Sequence, residues 1–276
     1  GGGAWPGRVQ LAAAPPAFAV RGARFAVADD LSVADDADAM AAAQPRTAHR
    51  EPRTGWEFTI TGCGTSHGNP MWGVPDWWSG DPRDRRRRSG AFLRGPAGQI
   101  ILLDCGPDLA HQMTDPYRDW DGHSYPARCI TRCDAVLLTH DHADHTHGIN
   151  DLRHLNRLMG GDGIAIHGQA AHLDVLRAMF PYCFGAGADA YAMSKPLLRT
   201  VALADGATTM IAGLAVTPFA MSHGTAGRTT GFRCGAMAYC TDVKELPRQA
   251  DALLQGLDLL ALGVLRDTPH PTHQCW

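Results

Sequence analysis

The sequence of 276 residues predicts an α/β fold in which two β-sheets pack face to face with helices on the outside. Strand patterns come first, helix–strand alternation follows, and this order occurs once in each half of the chain. A continuous apolar run at residues 135–139 is typical of a strand buried on both faces. Apolar residues at helical spacing within residues 146–159 indicate a helix that covers such a sheet.

The other predicted elements follow the same signals in both halves. In the first half, the runs 91–94 and 99–103 flank Gly-Pro-Ala-Gly, a sequence typical of a hairpin turn. In the second half, glycine and aspartate turns separate short apolar runs. Further strands are predicted at residues 57–61, 164–167, 201–203, 208–211, 214–219, 230–234, 236–240 and 257–264, and further helices at residues 171–180 and 246–254.

Composition narrows the class of protein. The net charge of −3 with neutral histidines disfavours binding of nucleic acid through overall charge. No apolar run reaches about 18 residues, so we expect no membrane span. The eight cysteines form no Cys-x-x-Cys pair and are interpreted as buried thiols of a reducing compartment, which predicts a cytoplasmic protein.

Residues 1–55 differ from the rest in being rich in Ala, Pro, Gly, Asp and Arg. We interpret them as an N-terminal extension with a composition compatible with disorder, followed by one domain at residues 56–276. Within this extension, residues 24–33 favour a short strand or hairpin.

The strongest chemical signal is Thr-His-Asp-His-Ala-Asp-His at residues 139–145, directly after a predicted buried strand. His140 and His142 lie two residues apart in an extended segment and therefore share one side. Asp144 and His145 follow where the chain turns into a helix. Imidazole and carboxylate groups are ligands for divalent zinc, manganese or iron, so the two pairs predict two neighbouring metal sites.

This motif is that of the metallo-β-lactamase fold superfamily, and four further segments resemble one branch of it. They are residues 62–68 (Gly-Cys-Gly-Thr-Ser-His-Gly), the arginines 85–88 with Ser89, residues 103–108 (Leu-Asp-Cys-Gly-Pro-Asp) and residues 147–153 (His-Gly-Ile-Asn-Asp-Leu-Arg). The chain resembles the phosphoribosyl 1,2-cyclic phosphate phosphodiesterases of the carbon–phosphorus lyase pathway over roughly residues 57–273. The resemblance implies an αββα sandwich with two mixed sheets.

The resemblance also implies further site residues. His223 matches the third histidine of the first metal, and Asp242 matches the carboxylate that bridges two divalent metals, Zn or Mn. Asp104 would accept a hydrogen bond from a ligand N–H, although a simple cap at a strand end is the competing interpretation. His273, rather than His270, matches a histidine that protonates the leaving group, with a surface-loop histidine as the alternative.

The chain departs from the family at its end. The family has one more histidine ligand on a later strand, whereas only Gln274, Cys275 and Trp276 follow His273. We therefore expect the final strand and helix to be missing from a C-terminally truncated domain, or the second site to be short of one ligand. Some members of the family hold a structural zinc with cysteines in the loop after the first strand. Here that loop, at residues 64–90, contains no cysteine, so no structural zinc is predicted.

The implied activity is metal-dependent hydrolysis of a small cyclic or linear phosphodiester by a metal-bridging hydroxide, with Asp144 orienting it. The arginines at residues 85–88 allow two interpretations. Either they place a guanidinium near a phosphate, or they are charged residues exposed to solvent. Alternatives are a tRNA 3′-processing endonuclease, a thioester or lactone hydrolase, and a degenerate metal-binding protein without activity. We expect a small-molecule partner and no nucleic acid, and homodimerisation is neither predicted nor excluded.

Overall fold

The computed structural model describes residues 24–26, 55–74, 79–81, 84–114, 130–160, 163–185 and 195–275. The described strands are β1 (Arg24–Ala26), β2 (Glu57–Gly62), β3 (Gly90–Arg94), β4 (Ile100–Leu103), β5 (Ala135–Leu137), β6 (Ile164–Gly168), β7 (Leu198–Ala202), β8 (Thr209–Ile211), β9 (Leu214–Ser222), β10 (Arg228–Cys234), β11 (Met237–Cys240), β12 (Leu259–Arg266) and β13 (Gln274–Cys275). The helices are α1 (Leu109–Thr114), α2 (Ala143–Thr146), α3 (Leu152–Met159), α4 (Ala170–Met179) and α5 (Ala250–Leu254).

These strands form two mixed sheets, which confirms the predicted fold class. One sheet has the order β2-β3-β4-β5-β6-β7, antiparallel as far as β4 and parallel from there on. The other has the order β1-β12-β11-β10-β9-β8, with β13 paired to β12. In this sheet β11, β12 and β13 are parallel, and the other pairs are antiparallel.

The core lies in three layers, because side chains on a strand alternate between its two faces. On β4, Ile101 and Leu103 point between the two sheets, where they meet residues such as Phe232. Ile100 and Leu102 point to the opposite face and pack with residues of α3 and α4. The outer face of the second sheet packs against α5. The sandwich therefore has helices on both outer faces, as the sequence predicts.

The predicted helix over residues 146–159 is wrong in its first half. Helix α2 ends at Thr146, a short 3-10 helix covers Ile149–Asp151, and α3 begins only at Leu152. The break is caused by packing against the loop after β4, because the Gly148 N–H donates to the carbonyl of Cys105 at 2.8 Å. In a continuous α-helix this N–H would donate to the carbonyl of Asp144.

The predicted helix over residues 246–254 is also shorter in the structure, where α5 begins at Ala250. The preceding residues pair with the end of β9 instead, since the Lys244 N–H donates to the carbonyl of Ser222 at 2.7 Å. Conversely, sequence patterns did not predict α1, a short helix directly after the loop that follows β4.

Residues 24–26 form the strand that was expected within residues 24–33, and it pairs antiparallel with β12. The interpretation of residues 1–55 as an extension otherwise lies outside the described residues. Within the described part of the chain, no helix is long and apolar enough to cross a membrane.

The layer between the sheets should dominate stability. Leu93 on β3 is fully buried there, whereas Leu158 on α3 is 65% exposed. We expect Leu93→Ala to lower the free energy of unfolding by about 2–5 kcal/mol, because it leaves a cavity in a packed interface. The matched variant Leu158→Ala should change it by about 0.5 kcal/mol or less. Urea unfolding measures both, and equal effects would contradict this assignment of the core.

Candidate metal centre

The predicted site residues lie at one edge of the sandwich because the strands that carry them run in the same direction. In the first sheet, β4 and β5 are parallel, and Asp104 and His140 follow their ends. In the second sheet, β9, β11 and β12 share one direction, and His223, Asp242 and His273 follow theirs. Side chains distant in sequence therefore meet at the strand ends.

Two of these residues have a left-handed backbone. Asp104 has a φ of 64° and Asp242 a φ of 51°, values that few residues other than glycine adopt. Aspartate tolerates this region better than most residues. The Asp104 N–H donates to the carbonyl of Leu137 at 2.9 Å, which helps to hold the turn. Backbone in such a sparsely populated conformation, held in place by the surrounding structure, is frequent at functional sites.

The first cluster comprises His140, His142, His223 and Asp242, whose ligand atoms all lie within 4.8 Å of one another. Nε2 of His140 and Nδ1 of His142 are only 2.9 Å apart. Oδ2 of Asp242 lies 3.7 Å from Nε2 of His140 and 3.6 Å from Nε2 of His223. Neighbouring ligands of one tetrahedral zinc stand about 3.4 Å apart, so these spacings fit a single divalent ion.

The second cluster comprises Asp144, His145 and, again, Asp242. Nε2 of His145 lies 3.3 Å from Asp144 Oδ2 and 3.4 Å from Asp242 Oδ2. This nitrogen is buried and has no hydrogen-bond partner among the described residues. A buried polar atom without a partner is costly, and a cation between these three groups would satisfy it. The residues present therefore fit a second divalent ion that shares Asp242 with the first.

Each buried imidazole turns Nε2 towards the clusters, while its Nδ1 contacts another group. These Nδ1 contacts direct Nε2 into the site. Nδ1 of His145 donates to Asp104 at 2.7 Å. Nδ1 of His223 donates to the carbonyl of Thr272 at 2.7 Å. Nδ1 of His140 lies 3.0 Å from the hydroxyl of Thr139. Such bonds fix the tautomer and orientation of a metal-binding histidine.

Asp104 is the central support among these groups. Its Oδ1 accepts from the backbone N–H of Thr139 at 2.8 Å, and both of its oxygens lie 2.9 Å from the Thr139 hydroxyl. It is thus much more than a cap at a strand end. The hydroxyl of Thr139 and the carbonyl of Thr272 were missed as supports. Thr139 could have been found, since it opens the histidine motif.

The protonation states of the first cluster suit metal binding. Burial, and the neighbouring His145, lower the pKa of His140 well below its usual value, and burial also lowers the pKa of His223. These rings are therefore neutral near pH 7, the form that binds a metal. Burial acts to raise the pKa of Asp242, but the imidazoles of His145 and His140 hold it well below its usual range. Asp242 is thus an ionised carboxylate. In the second cluster, burial acts to lower the pKa of His145, but the carboxylates of Asp104 and Asp242 raise it well above its usual value, so a metal ion must displace a proton from this ring.

His273 lies beside the first cluster, with its ring centroid 4.9 Å from that of His223. Burial is the main cause that lowers the pKa of His273 to about 4. The ring centroid of His270 lies 5.1 Å from that of His273. The structure therefore brings all six predicted ligands and His273 to one edge. The role of each as a ligand or catalytic group stays a prediction.

A second histidine–carboxylate pair, which the sequence did not reveal, adjoins the site. His172 on α4 is hydrogen-bonded through Nδ1 to Asp141, which stands between two of the predicted ligands. The ring centroids of His172 and His140 are 6.4 Å apart. This contact ties the histidine motif to α4.

With this geometry in place, comparison with known proteins gives the family. The chain belongs to the family described as beta-lactamase superfamily domain, whose model matches residues 99–274. It is 32% identical over 218 residues to an octanoyltransferase of Porphyromonas gingivalis, which covers 78% of this chain and 40% of that protein. It is 29% identical over 168 residues to a ribonuclease Z of Bradyrhizobium diazoefficiens, covering 60% and 46% respectively. The chain thus spans less than half the length of these curated relatives.

Among solved structures, the crystal structure of a diphosphatase from the PhnP family matches with a TM-score of 0.64 and 28% identity, covering 80% of this chain and 78% of that one. These findings confirm the predicted resemblance to a metallo-β-lactamase fold hydrolase of the PhnP type. This fold implies divalent metal ions, in agreement with the His and Asp clusters.

Loss of the Asp104 carboxylate should weaken metal binding without unfolding the sandwich. We expect Asp104→Asn to reduce metal affinity by about 10–100-fold, because the amide cannot accept from both Thr139 and His145. Competition with a chromophoric chelator measures the affinity. Asp174→Asn, at an exposed position on α4, is the matched control and should have no effect. Unchanged affinity in Asp104→Asn would show that Asp104 only caps its strand.

Proposed function

We propose that this chain is a binuclear metal-dependent phosphodiesterase that hydrolyses a small cyclic or linear phosphodiester. The proposal is carried by Oδ2 of Asp242, which belongs to both ligand clusters and lies 3.4 Å from His145 and 3.7 Å from His140. A shared carboxylate keeps two cations close enough to act on one substrate group. The diphosphatase and ribonuclease among the similar proteins are named for reactions of phosphate bonds, which supports phosphorus as the reacting centre.

Two bound divalent ions, Zn²⁺ or Mn²⁺, would activate a water molecule and neutralise charge that develops on the phosphate. Asp144 is held beside Nε2 of His145 and would orient the attacking water by accepting its hydrogen bond. His273 would transfer a proton to the leaving oxygen. Because its pKa is about 4 in the unliganded protein, the ring is neutral near pH 7. A phosphate anion beside it would raise that pKa and favour the protonated, acidic form.

Metal content separates this proposal from a degenerate, non-catalytic protein. We expect two metal ions per chain by elemental analysis, and less than one in Asp242→Ala, because both clusters lose their shared ligand. Chelation should lower the Tm, since bound ions stabilise the folded state. Asp251→Ala, at an exposed position in α5 on the outer face of the second sheet, should retain two ions and the wild-type Tm. One ion or none in the wild-type chain would support the degenerate alternative.

Substrate preference separates it from a thioester or lactone hydrolase. Wild-type protein should cleave bis(p-nitrophenyl) phosphate much faster than p-nitrophenyl acetate or an acyl thioester. Rapid ester turnover without phosphodiester cleavage would instead establish an ester hydrolase.

His273→Gln should lower kcat by about 10²–10⁴-fold, the usual contribution of a general acid. The decline in kcat at high pH should also disappear, because that decline reports loss of the His273 proton. The exposed His154→Gln on α3 is the matched control and should leave both kcat and its pH profile unchanged. A pH profile that keeps its high-pH decline in His273→Gln would exclude His273 as the acid.

A tRNA-processing ribonuclease is the second candidate, favoured by the 29% identity to ribonuclease Z. Filter binding with a structured tRNA, at two salt concentrations, distinguishes the two functions. Salt-sensitive tRNA binding followed by cleavage would favour the ribonuclease. The net charge of −3 favours the small-molecule phosphodiesterase.

A further inference from the structure

His142 is the least supported of the histidines in the two clusters. The rings of His140, His145 and His223 are buried, and each has its Nδ1 in contact with a supporting group. His142 is only half-buried, and its Nδ1 lies 2.9 Å from Nε2 of His140 and so faces the first cluster. Among the described residues, none is hydrogen-bonded to its Nε2. The position of this ring therefore depends on how its backbone is held.

Helix α2 holds the backbone of His142 on its C-terminal side. The carbonyl of His142 accepts from the hydroxyl of Thr146 at 2.9 Å and from the N–H of His145 at 3.0 Å. The residue itself is extended, with a φ of −61° and a ψ of 153°, and its side chain does not cap the helix. The imidazole is thus available to a metal ion, provided that the residue before it is also fixed.

The residue before it is Asp141, and its carboxylate is held by α4. Oδ1 of Asp141 accepts a hydrogen bond from the Nδ1–H of His172. The two side chains are 29% and 17% exposed respectively, so water competes only in part for this bond. The ring of His172 also stands at 78° to the ring of His140. His172 therefore adjoins two successive residues of the histidine motif.

Helix α4 is firmly placed relative to the motif. Leu173, the neighbour of His172, is almost fully buried in the core between the first sheet and its helices. The segment before the helix is tied to the chain that enters the motif, since the Leu138 N–H donates to the carbonyl of His167 at 2.8 Å. Gly168 packs so closely there that a Cβ would lie 3.2 Å from the Leu138 carbonyl. A side chain at the start of α4 can therefore fix the motif.

We propose that His172 is a positioning residue, whose hydrogen bond to Asp141 orients His142 towards the metal ion of the first cluster. This rests on the binuclear centre of the proposed function. The pair serves His142 through its backbone, as Asp104 serves His145 through a ring nitrogen. Groups that orient a metal ligand typically contribute about 10–100-fold to metal affinity. The second cluster does not include His142, so its affinity does not depend on the pair.

Two single-cluster backgrounds test the proposal with Co²⁺, whose visible absorption reports binding without any substrate. Asp144→Ala removes a ligand of the second cluster only, and His223→Ala removes a ligand of the first cluster only. In the Asp144→Ala background, His172→Leu should weaken Co²⁺ binding about tenfold. In the His223→Ala background, His172→Leu should leave the affinity unchanged. Equal effects in the two backgrounds, or no effect in either, would overturn the proposal.

His172→Asn is the rescue variant, because the side-chain NH₂ of asparagine can donate to Asp141 as the imidazole Nδ1 does. In the Asp144→Ala background, it should bind Co²⁺ nearly as tightly as the chain that keeps His172. His154→Leu, the same change at an exposed histidine on α3, is the matched control and should have no effect. A loss of affinity in His172→Asn as large as that in His172→Leu would contradict the proposal.

Asp141→Ala removes the same hydrogen bond from the other side, and it keeps the proposal testable if His172→Leu does not fold. It should also weaken Co²⁺ binding to the first cluster about tenfold. The double variant should bind no more weakly than either single variant, because residues that act through one bond are not additive. Additive losses would overturn the proposal.

The Co²⁺ titration separates this inference from the proposed function. A wild-type chain that binds two Co²⁺ ions and cleaves no phosphodiester would refute the proposed function and leave the role of His172 standing. A wild-type chain that binds no Co²⁺ would overturn both.

Discussion

The carboxylate of Asp242 places one oxygen within 3.4–3.7 Å of three imidazole nitrogens, and the rest of the site is arranged around this contact. Gathering so many titratable groups in a buried place is costly unless each is paired. The outward nitrogens of the buried rings are therefore held by Asp104, by Thr139 and by the carbonyl of Thr272. The buried Nε2 of His145 remains without a hydrogen-bond partner among the described residues and faces the clusters, where the fold implies divalent metal ions.

The sandwich brings these groups together through strand direction. Strands that run in the same direction end at the same edge, so the residues that follow β4, β5, β9, β11 and β12 meet there. The loop after β4 serves two features, because Asp104 supports a ring at the metal centre and Asp108 holds Arg88 in the wall of a cleft that is lined by Arg85–Arg88. A change in this loop would therefore affect both features together.

Local patterns predicted most strands well, because alternation and apolar runs depend on neighbours in the sequence. They failed where a distant segment competes for a backbone group. The helix expected over residues 146–159 is interrupted at Gly148 because its N–H is taken by the carbonyl of Cys105. Helix α5 starts late for the same reason, since residues before it pair with β9. The carbonyl of Cys105 and strand β9 lie outside the helical segments with which they compete, so the local sequence of those segments does not reveal them.

The sequence by itself determined the two-sheet fold class and the motif at residues 139–145, whose ligands are separated by only one or two residues. It also placed His223 and Asp242 through resemblance to a family. Only the tertiary structure decided that Asp242 is shared between two clusters, that Asp104 supports His145, and that the arginine run forms the wall of a cleft. These relations depend on the pairing of strands and loops far apart in the chain, and no local pattern of residues records the distances between them.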